Sequence, residues 1–303
     1  MDELWQIQTI EDFLANKMEA ARPAVQTFFN TSSAKVYNRR QLSSALKEHR
    51  TEWSLPSEIT TSRFINFLTA KLTLREITLA SDHYSDEKRF IWGEPSIYAI
   101  ALSLRNNAYL THGSAVFLHG LNDQIPQTVY VNYEQSPKPQ SGALTQEGID
   151  RAFSNQQRRS NLTFQYEGYQ IIVINGKHTN RLEVSPFVGR YGETLDVTKL
   201  ERTLIDITVR PAYAGGVVQV LEAFKRAEGS VSVNTLTATL KKLNYLYPYH
   251  QAIGFYMERA GYPEGKWSKL LKLGTEFDFY LAHQLPSNKK YDSKWRLFYP
   301  SSL

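Results

Sequence analysis

The stretch from residue 197 to residue 224 constrains the fold most, because it holds two apolar segments separated by a rigid break. Apolar residues recur at helical spacing on both sides of the break, which predicts two helices with extensively buried faces. Pro211 cannot continue a helix, and the glycine pair at 215–216 favours a sharp turn. The sequence therefore predicts a buried helical hairpin here, with no nucleophile, metal cluster or phosphate-binding loop.

Charged residues of the first helix in this hairpin allow two interpretations. Thr198 and Glu201 have the Thr-x-x-Glu spacing of a capping box, which predicts that the helix begins there. Together with Arg202, Asp206 and Arg210, Glu201 could form a surface for a partner. Capping and ion pairing inside the fold explain Glu201, Arg202 and Asp206 equally well, so the pattern leaves both roles open.

Length and composition restrict the class of protein. The 303 residues predict two or three domains, and 42% hydrophobic with 13% aromatic residues suffices for their cores. The absence of cysteine excludes disulfides, thiolate metal sites and cysteine catalysis. Neither a signal peptide nor an apolar run of membrane-spanning length is visible, so we expect a cytoplasmic protein with no membrane partner. A net charge of +5, spread along the chain, only weakly favours an anionic partner.

The first 94 residues show the element order of a winged helix-turn-helix domain preceded by an acidic amphipathic helix. We expect this first helix to break near Ala21, before Pro23. Two short helices follow, the first opening at residues 38–41 and the second at 60–63, and then two strands, 74–79 and 88–92, with a polar loop between them. The sequence thus predicts an α+β protein, with a winged helix-turn-helix domain over 1–94 and a mixed α/β domain over 95–303.

A winged helix would place a defined set of side chains against double-stranded DNA. The second helix of the motif enters the major groove by its N-terminal residues, the first helix crosses the backbone, and the wing contacts phosphates. The candidate DNA-binding residues are Arg39, Arg40, Thr60, Thr61, Ser62, Arg63, Lys88 and Arg89. The alternative interpretation is that the hydroxyl residues are ordinary helix caps and that the arginines belong to a solvated face.

Elements of the second domain are indicated by alternating apolar strands and periodic helices. We predict strands at 128–133, 162–166, 169–175, 181–184, 277–281 and 295–299, and helices at 96–103, 145–155, 233–243, 249–260 and 266–273, with a buried helix before Gly120. His112 and His119 are expected to be structural, because their spacing does not suit a pair of metal ligands on a helix. We expect no metal and no cofactor.

Three motifs in the second domain resemble a known family. They are GEPSIYAIALSLRNNAYLTHGSAVFLHGL at 93–121, VTKLERTLIDITVRPAYAGGVVQVLEAF at 197–224, and WRLFYP at 295–300. In this order they are similar to the AbiEi antitoxins of type IV toxin–antitoxin systems, over about residues 93–300. The usual plan of that family, a winged helix followed by an α/β antitoxin domain, agrees with the order of elements above.

The resemblance implies a function as well as a fold. A member of this family is expected to be a transcriptional autorepressor that binds inverted repeats in its own promoter. It is also expected to counteract a nucleotidyltransferase-like toxin without a stable complex and without enzymatic activity. Two alternatives stay open: a kinase-like antitoxin that modifies the toxin, for which the sequence has no glycine-rich or HRD-like loop, and an interaction module that binds the toxin directly. The longer N-terminal part, with its acidic helix, departs from the common short form of the family.

Overall fold

A computed structural model describes residues 2–138 and 142–303, and for residues 2–9 it describes the backbone only. The chain folds into two compact units. The first comprises Met1–Leu104, Phe164–Tyr166 and Val188–Thr194, and the second comprises Arg105–Thr163, Glu167–Phe187 and Leu195–Leu303. The main division therefore lies at 104–105, whereas the sequence predicts a boundary at 94–95. Helices and mixed sheets together make the fold α+β.

The first unit consists mainly of four helices and a small antiparallel sheet. In chain order the elements are α1 (Asp2–Thr31), β1 (Val36–Tyr37), α2 (Arg39–His49), α3 (Thr61–Lys71), β2 (Leu74–Leu79), β3 (Glu87–Trp92) and α4 (Ile97–Leu102). Strand order in the sheet is β1-β3-β2, and both pairs of strands are antiparallel. Aromatic rings fill much of the core; Phe29 stacks on Trp92 with ring centroids 4.9 Å apart, and Trp53 stacks on Phe64 at 5.6 Å.

Helix α1 is continuous through Pro23, so the predicted break near Ala21 is wrong. A proline inside a helix removes one backbone hydrogen bond and costs about 3 kcal/mol. Side chains on both sides of Pro23 are buried against the rest of the unit, among them Leu14, Met18 and Phe29. This apolar stripe holds both halves of the helix against one core and offsets the cost of the proline.

The strands in the middle of the chain form a six-stranded mixed sheet. Its strands are β4 (Tyr109–Leu110), β5 (Thr128–Glu134), β6 (Thr163–Tyr166), β7 (Tyr169–Gly176), β8 (Val184–Val188) and β9 (Thr194–Thr198), in the order β6-β7-β5-β4-β9-β8. The longest pairing is parallel and joins β5 to β7, from Thr128 opposite Gln170 to Glu134 opposite Gly176. In chain order, helix α5 (His112–Leu118) lies between β4 and β5, and helix α6 (Gln146–Ser154) lies between β5 and β6. The predicted strand at 181–184 is wrong, because Arg181 and Glu183 have positive φ in a turn and the strand begins at Val184.

The helical hairpin is confirmed between Leu200 and Ala227. It comprises α7 (Leu200–Val209), a short 3-10 helix (Pro211–Ala214) and α8 (Val217–Ala227), and Gly215 and Gly216 both have positive φ. The capping box predicted at Thr198 and Glu201 is wrong. Thr198 is instead the last residue of β9, and its hydroxyl lies 2.8 Å from that of Thr203. The Glu201 carboxylate accepts the N–H of Ser232 at 2.8 Å.

The C-terminal part packs three more helices and a small sheet against this hairpin. These elements are α9 (Val233–Leu243), α10 (Tyr249–Arg259), α11 (Glu264–Leu271), β10 (Phe279–Tyr280), β11 (Lys290–Asp292) and β12 (Leu297–Tyr299), with sheet order β10-β12-β11. The fully buried indole of Trp295 donates to the Glu258 carboxylate at 2.7 Å, which anchors the WRLFYP segment to α10. Over the described residues, no helix combines the length and the apolar character needed to span a membrane.

Candidate functional site

The start of α2 is fixed by a complete capping box. The Asn38 side chain accepts the N–H of Gln41 at 2.9 Å, and the Gln41 side chain accepts the N–H of Asn38 at 2.8 Å. This reciprocal pair satisfies donors that the first turn of a helix leaves without partners. Arg39 and Arg40 occupy that first turn, and both side chains are exposed.

The start of α3 lies against the start of α2. The Thr60 hydroxyl accepts the N–H of Arg63 at 3.2 Å, so Thr60 is the helix cap. Arg39 donates to the Ser62 hydroxyl at 2.6 Å, which joins the two helix starts directly. Thr61 donates to the Ser43 hydroxyl at 3.0 Å, again between α3 and α2. We call the set Arg39, Arg40, Thr60, Thr61, Ser62 and Arg63 the α2–α3 surface.

Arg63 is the member of this surface whose charge is already paired. Its guanidinium forms an ion pair with the carboxylate of Glu11 on α1. The Glu11 side chain keeps 56% of its area exposed and that of Arg63 keeps 29%, so water reaches the pair. Arg40, in contrast, forms no ion pair with any residue that the structure describes. Among the described residues, the surface therefore combines two cations without an ion pair, Arg39 and Arg40, with one that pairs with the acidic helix α1.

The β2–β3 hairpin presents less positive charge than its sequence suggests. Lys88 is exposed and pairs with Glu76 across the two strands, Nζ to Oε1 at 2.6 Å. Arg89 is only 6% exposed, and its guanidinium donates to the Ser103 carbonyl at 3.2 Å and to Glu87 at 2.9 Å. Of the two wing residues predicted to bind DNA, only Lys88 is accessible, and we leave Arg89 out of the candidate interface.

A second concentration of polar groups lies inside the second unit, around a buried ion pair. Arg202 and Asp206 are 5% and 6% exposed, with Nε and Oδ1 2.8 Å apart. The Thr111 hydroxyl donates to the other Asp206 oxygen at 3.0 Å and lies 3.1 Å from Nδ1 of His112. Burial lowers the pKa of His112 to about 4, so its imidazole is neutral at physiological pH. Desolvation is the largest single influence and lowers the pKa of Arg202, but Asp206, Tyr245 and Tyr109 together raise it above its usual range, so the guanidinium stays charged.

These groups line one side of a cavity of about 410 Å³. Three further cations reach it, namely Lys138, Lys177 and Arg210, and a cluster of tyrosines at 245, 247 and 249 forms another wall. Burial raises the pKa of Tyr245, so its phenol stays protonated, and burial lowers the pKa of Lys177. Among described residues there is no group of three or more His, Cys, Asp or Glu placed to hold a metal ion.

The sequence indicates the residues of the α2–α3 surface as candidates, but it gives no sign of this cavity. Arg202 and Asp206 are internally paired, which is one of the two roles that the pattern leaves open. Opposite charges four residues apart in an otherwise apolar helix are the local signal for such a buried pair. The other walls come from distant parts of the chain, so no local motif marks them.

Comparisons with known proteins bear on the α+β fold alone. No family model matches the chain, and no curated protein matches it. Among solved structures, the chain is similar to the crystal structure of the RV2827C protein from Mycobacterium tuberculosis, with a TM-score of 0.56 and 13% sequence identity. The similarity covers 92% of this chain and 91% of that chain. At this level of identity the two proteins share a fold, and the similarity carries no information about activity.

Proposed function

We propose that the first unit is a winged helix that binds double-stranded DNA, and that the protein is a transcriptional autorepressor and antitoxin of the AbiEi type. The observation that carries the DNA-binding part is the topology of the first unit. A helix, a strand, two helices and a two-stranded hairpin follow one another, and β3 pairs with both β1 and β2. This order and pairing of elements supports the proposal, because in a winged helix the second helix of the helix-turn-helix enters the major groove.

The α2–α3 surface supports the same proposal chemically. Its side chains are hydroxyls and guanidiniums, which donate to phosphate oxygens and to base edges. Backbone N–H groups in the first turns of α2 and α3 add partial positive charge at the same place. Arg40 is free of an ion pair within the described chain, so a phosphate can bind it without displacing a carboxylate.

The hairpin contributes less to the proposed complex than the helices do. Its connecting loop contains Asp82 and Asp86, and Lys88 shares its charge with Glu76. Acidic groups repel the phosphate backbone, so we expect affinity to depend on the starts of α2 and α3. Replacing Lys88 should therefore weaken binding less than replacing Arg40.

An electrophoretic mobility-shift assay tests the DNA-binding part. We expect the full-length protein to bind the promoter segment upstream of its own gene with salt-sensitive affinity. Arg40→Ala should weaken binding to all duplexes and reduce the slope of log K against log salt by about 1. Arg22→Ala removes the same charge from α1, where Arg22 pairs with Glu19, and serves as the matched control. The absence of a shift with promoter or random duplex at low salt contradicts the proposal, as does an equal effect of both variants.

The antitoxin part is supported by the three sequence motifs between residues 93 and 300. It predicts that the neighbouring open reading frame encodes a nucleotidyltransferase and that its expression alone arrests growth. Co-expression of this protein should restore growth, while size-exclusion chromatography of the two proteins should give separate peaks. A stable co-eluting complex would support direct binding of the toxin instead, and failure to restore growth would contradict the antitoxin function.

A further inference from the structure

The cavity of the second unit lies at the carboxyl ends of two parallel strands. Asn132 near the end of β5 and Gly176 at the end of β7 line it, with Arg202 and Arg210 from the α7 side and Tyr245 from the turn before α10. In open α/β sheets, ligands bind preferentially outside the carboxyl ends of parallel strands. A volume of about 410 Å³ falls in the lower part of the roughly 300–1,000 Å³ that small-molecule sites occupy.

Positive charge in the cavity exceeds negative charge. The Asp206 carboxylate is the negative group of the described lining, and Arg202 and the Thr111 hydroxyl occupy its two oxygens. Lys138, Lys177 and Arg210 form no ion pair with any residue described here. Three cations that have no counter-ion in the described chain line one cavity, and this favours an anionic ligand there.

Two of these cations, Lys177 and Arg210, already donate hydrogen bonds to neutral backbone carbonyls. These bonds fix the positions of the two charged groups. Lys177 Nζ donates to the carbonyls of Leu243 and Asn244 at 2.8 and 2.6 Å. One nitrogen of Arg210 donates to the Arg158 carbonyl at 3.1 Å. Carbonyl oxygens hold the side chains in place but do not neutralise them. Both cations are therefore preorganised for an anionic ligand.

Next to these cations the cavity is lined by an aromatic ring, Tyr245, and by a polar side chain, Gln135. Tyr245 is half-buried, and the Lys177 ammonium lies 5.5 Å from its ring centroid. Tyr249 meets the Tyr245 ring edge-on at 5.4 Å, which holds the orientation of that ring. The half-buried Gln135 side chain forms no hydrogen bond with the described part of the chain and lines the same cavity. An aromatic face beside a free amide suits a planar ring with polar edges.

We propose that this cavity binds a phosphorylated small molecule that carries a planar ring, of the size of a nucleoside monophosphate. The phosphate is held by Lys138, Lys177 and Arg210, and the ring lies against Tyr245 with its polar edge toward Gln135. The buried pair of Arg202 and Asp206 supports the floor of the site and does not need to move. Ligand binding here is separate from DNA binding by the first unit, so either can hold without the other.

Calorimetric titration of the full-length protein at low ionic strength tests the proposal. The probes are the four ribonucleoside monophosphates, together with ribose 5-phosphate, adenosine, inorganic phosphate and short single-stranded oligonucleotides. We expect at least one monophosphate to bind with a dissociation constant of low millimolar or tighter. Adenosine and inorganic phosphate should bind at least tenfold more weakly, since each lacks one half of the recognised chemistry.

Two variants and a matched control locate the site. Arg210→Gln should weaken the best monophosphate at least tenfold, and Tyr245→Leu should weaken it while leaving ribose 5-phosphate unchanged. Lys289→Gln removes the same charge from a different cavity of the second unit and should leave binding unchanged. Thermal melting of each variant confirms that it is folded.

Three outcomes overturn the proposal. The first is that no monophosphate binds at low millimolar concentration. The second is that Lys289→Gln weakens binding as much as Arg210→Gln, which indicates general attraction of anions. The third is that only single-stranded oligonucleotides bind, which indicates a nucleic-acid site.

Discussion

Removal of the Asp206 carboxylate should destabilise the second unit strongly. In Asp206→Ala, the Arg202 guanidinium loses the oxygen 2.8 Å from its Nε, and the Thr111 hydroxyl loses its acceptor at 3.0 Å. Because the two charged side chains are only 5% and 6% exposed, the variant leaves a largely buried guanidinium without its counter-charge. Breaking such a buried pair costs roughly 3–5 kcal/mol of unfolding free energy.

The same structure predicts which second change recovers the loss. The cost in Asp206→Ala comes mostly from a buried cation without a partner, so removal of that cation should restore stability. Arg202→Met combined with Asp206→Leu replaces both charges by apolar groups, and we expect the double variant to be more stable than Asp206→Ala by at least about 2 kcal/mol.

Calorimetric melting and urea unfolding measure these effects. A loss of roughly 3–5 kcal/mol corresponds to a decrease of about 10 °C in the melting temperature of a unit of this size. Asp123→Ala breaks the exposed pair with Arg226 and is the matched control, for which we expect almost no shift. Equal shifts for Asp206→Ala and Asp123→Ala would refute the reasoning, and so would a double variant less stable than Asp206→Ala.

Two further predictions concern stability. Burial lowers the pKa of His112 from 6.5 to about 4, so between these values the unfolded chain binds a proton that the folded chain does not. Stability should therefore fall by up to about 3 kcal/mol as the pH falls through this window, and urea titrations of His112→Asn should show a smaller fall. Gly254→Ala places a Cβ atom against the Trp295 ring, well inside van der Waals contact, and should lower the melting temperature by several degrees, whereas Gly265→Ala meets nothing within 4 Å and should not.

Local patterns in the sequence predict helix starts well where the cap is the only use of the side chain. Asn38 and Thr60 cap α2 and α3 as their sequence suggests, because neither side chain has a competing partner among the described residues. Thr198 and Glu201 have an equally good spacing but do not form a cap. Thr198 closes strand β9, and Glu201 binds a backbone N–H 31 residues further along the chain. A sequence motif of a few residues cannot reveal an interaction with a residue so far along the chain.

The cavity escapes sequence reasoning for the same physical reason. Its ion pair is visible as Arg202 and Asp206 on one helix, but Thr111 contributes from 95 residues away. Its cations and tyrosines are spread from Lys138 to Tyr249, and each alone resembles an ordinary surface or core residue. A site assembled from several elements becomes recognisable only when the register of β5 with β7 is known.

The pair between Glu11 and Arg63 has a consequence for selectivity among nucleic acids. Glu11 belongs to the same chain as Arg63, so it competes for the guanidinium at a high effective concentration. In the proposed complex, exchanging Glu11 for a single phosphate of equal charge adds little to the binding free energy of Arg63. A guanine edge has two acceptors and binds a guanidinium through two hydrogen bonds. Exchanging Glu11 for a guanine edge therefore adds more to the binding free energy. Helix α1 would then act as an internal competitor that suppresses binding to arbitrary polyanions and favours sites offering Arg63 a better partner than Glu11.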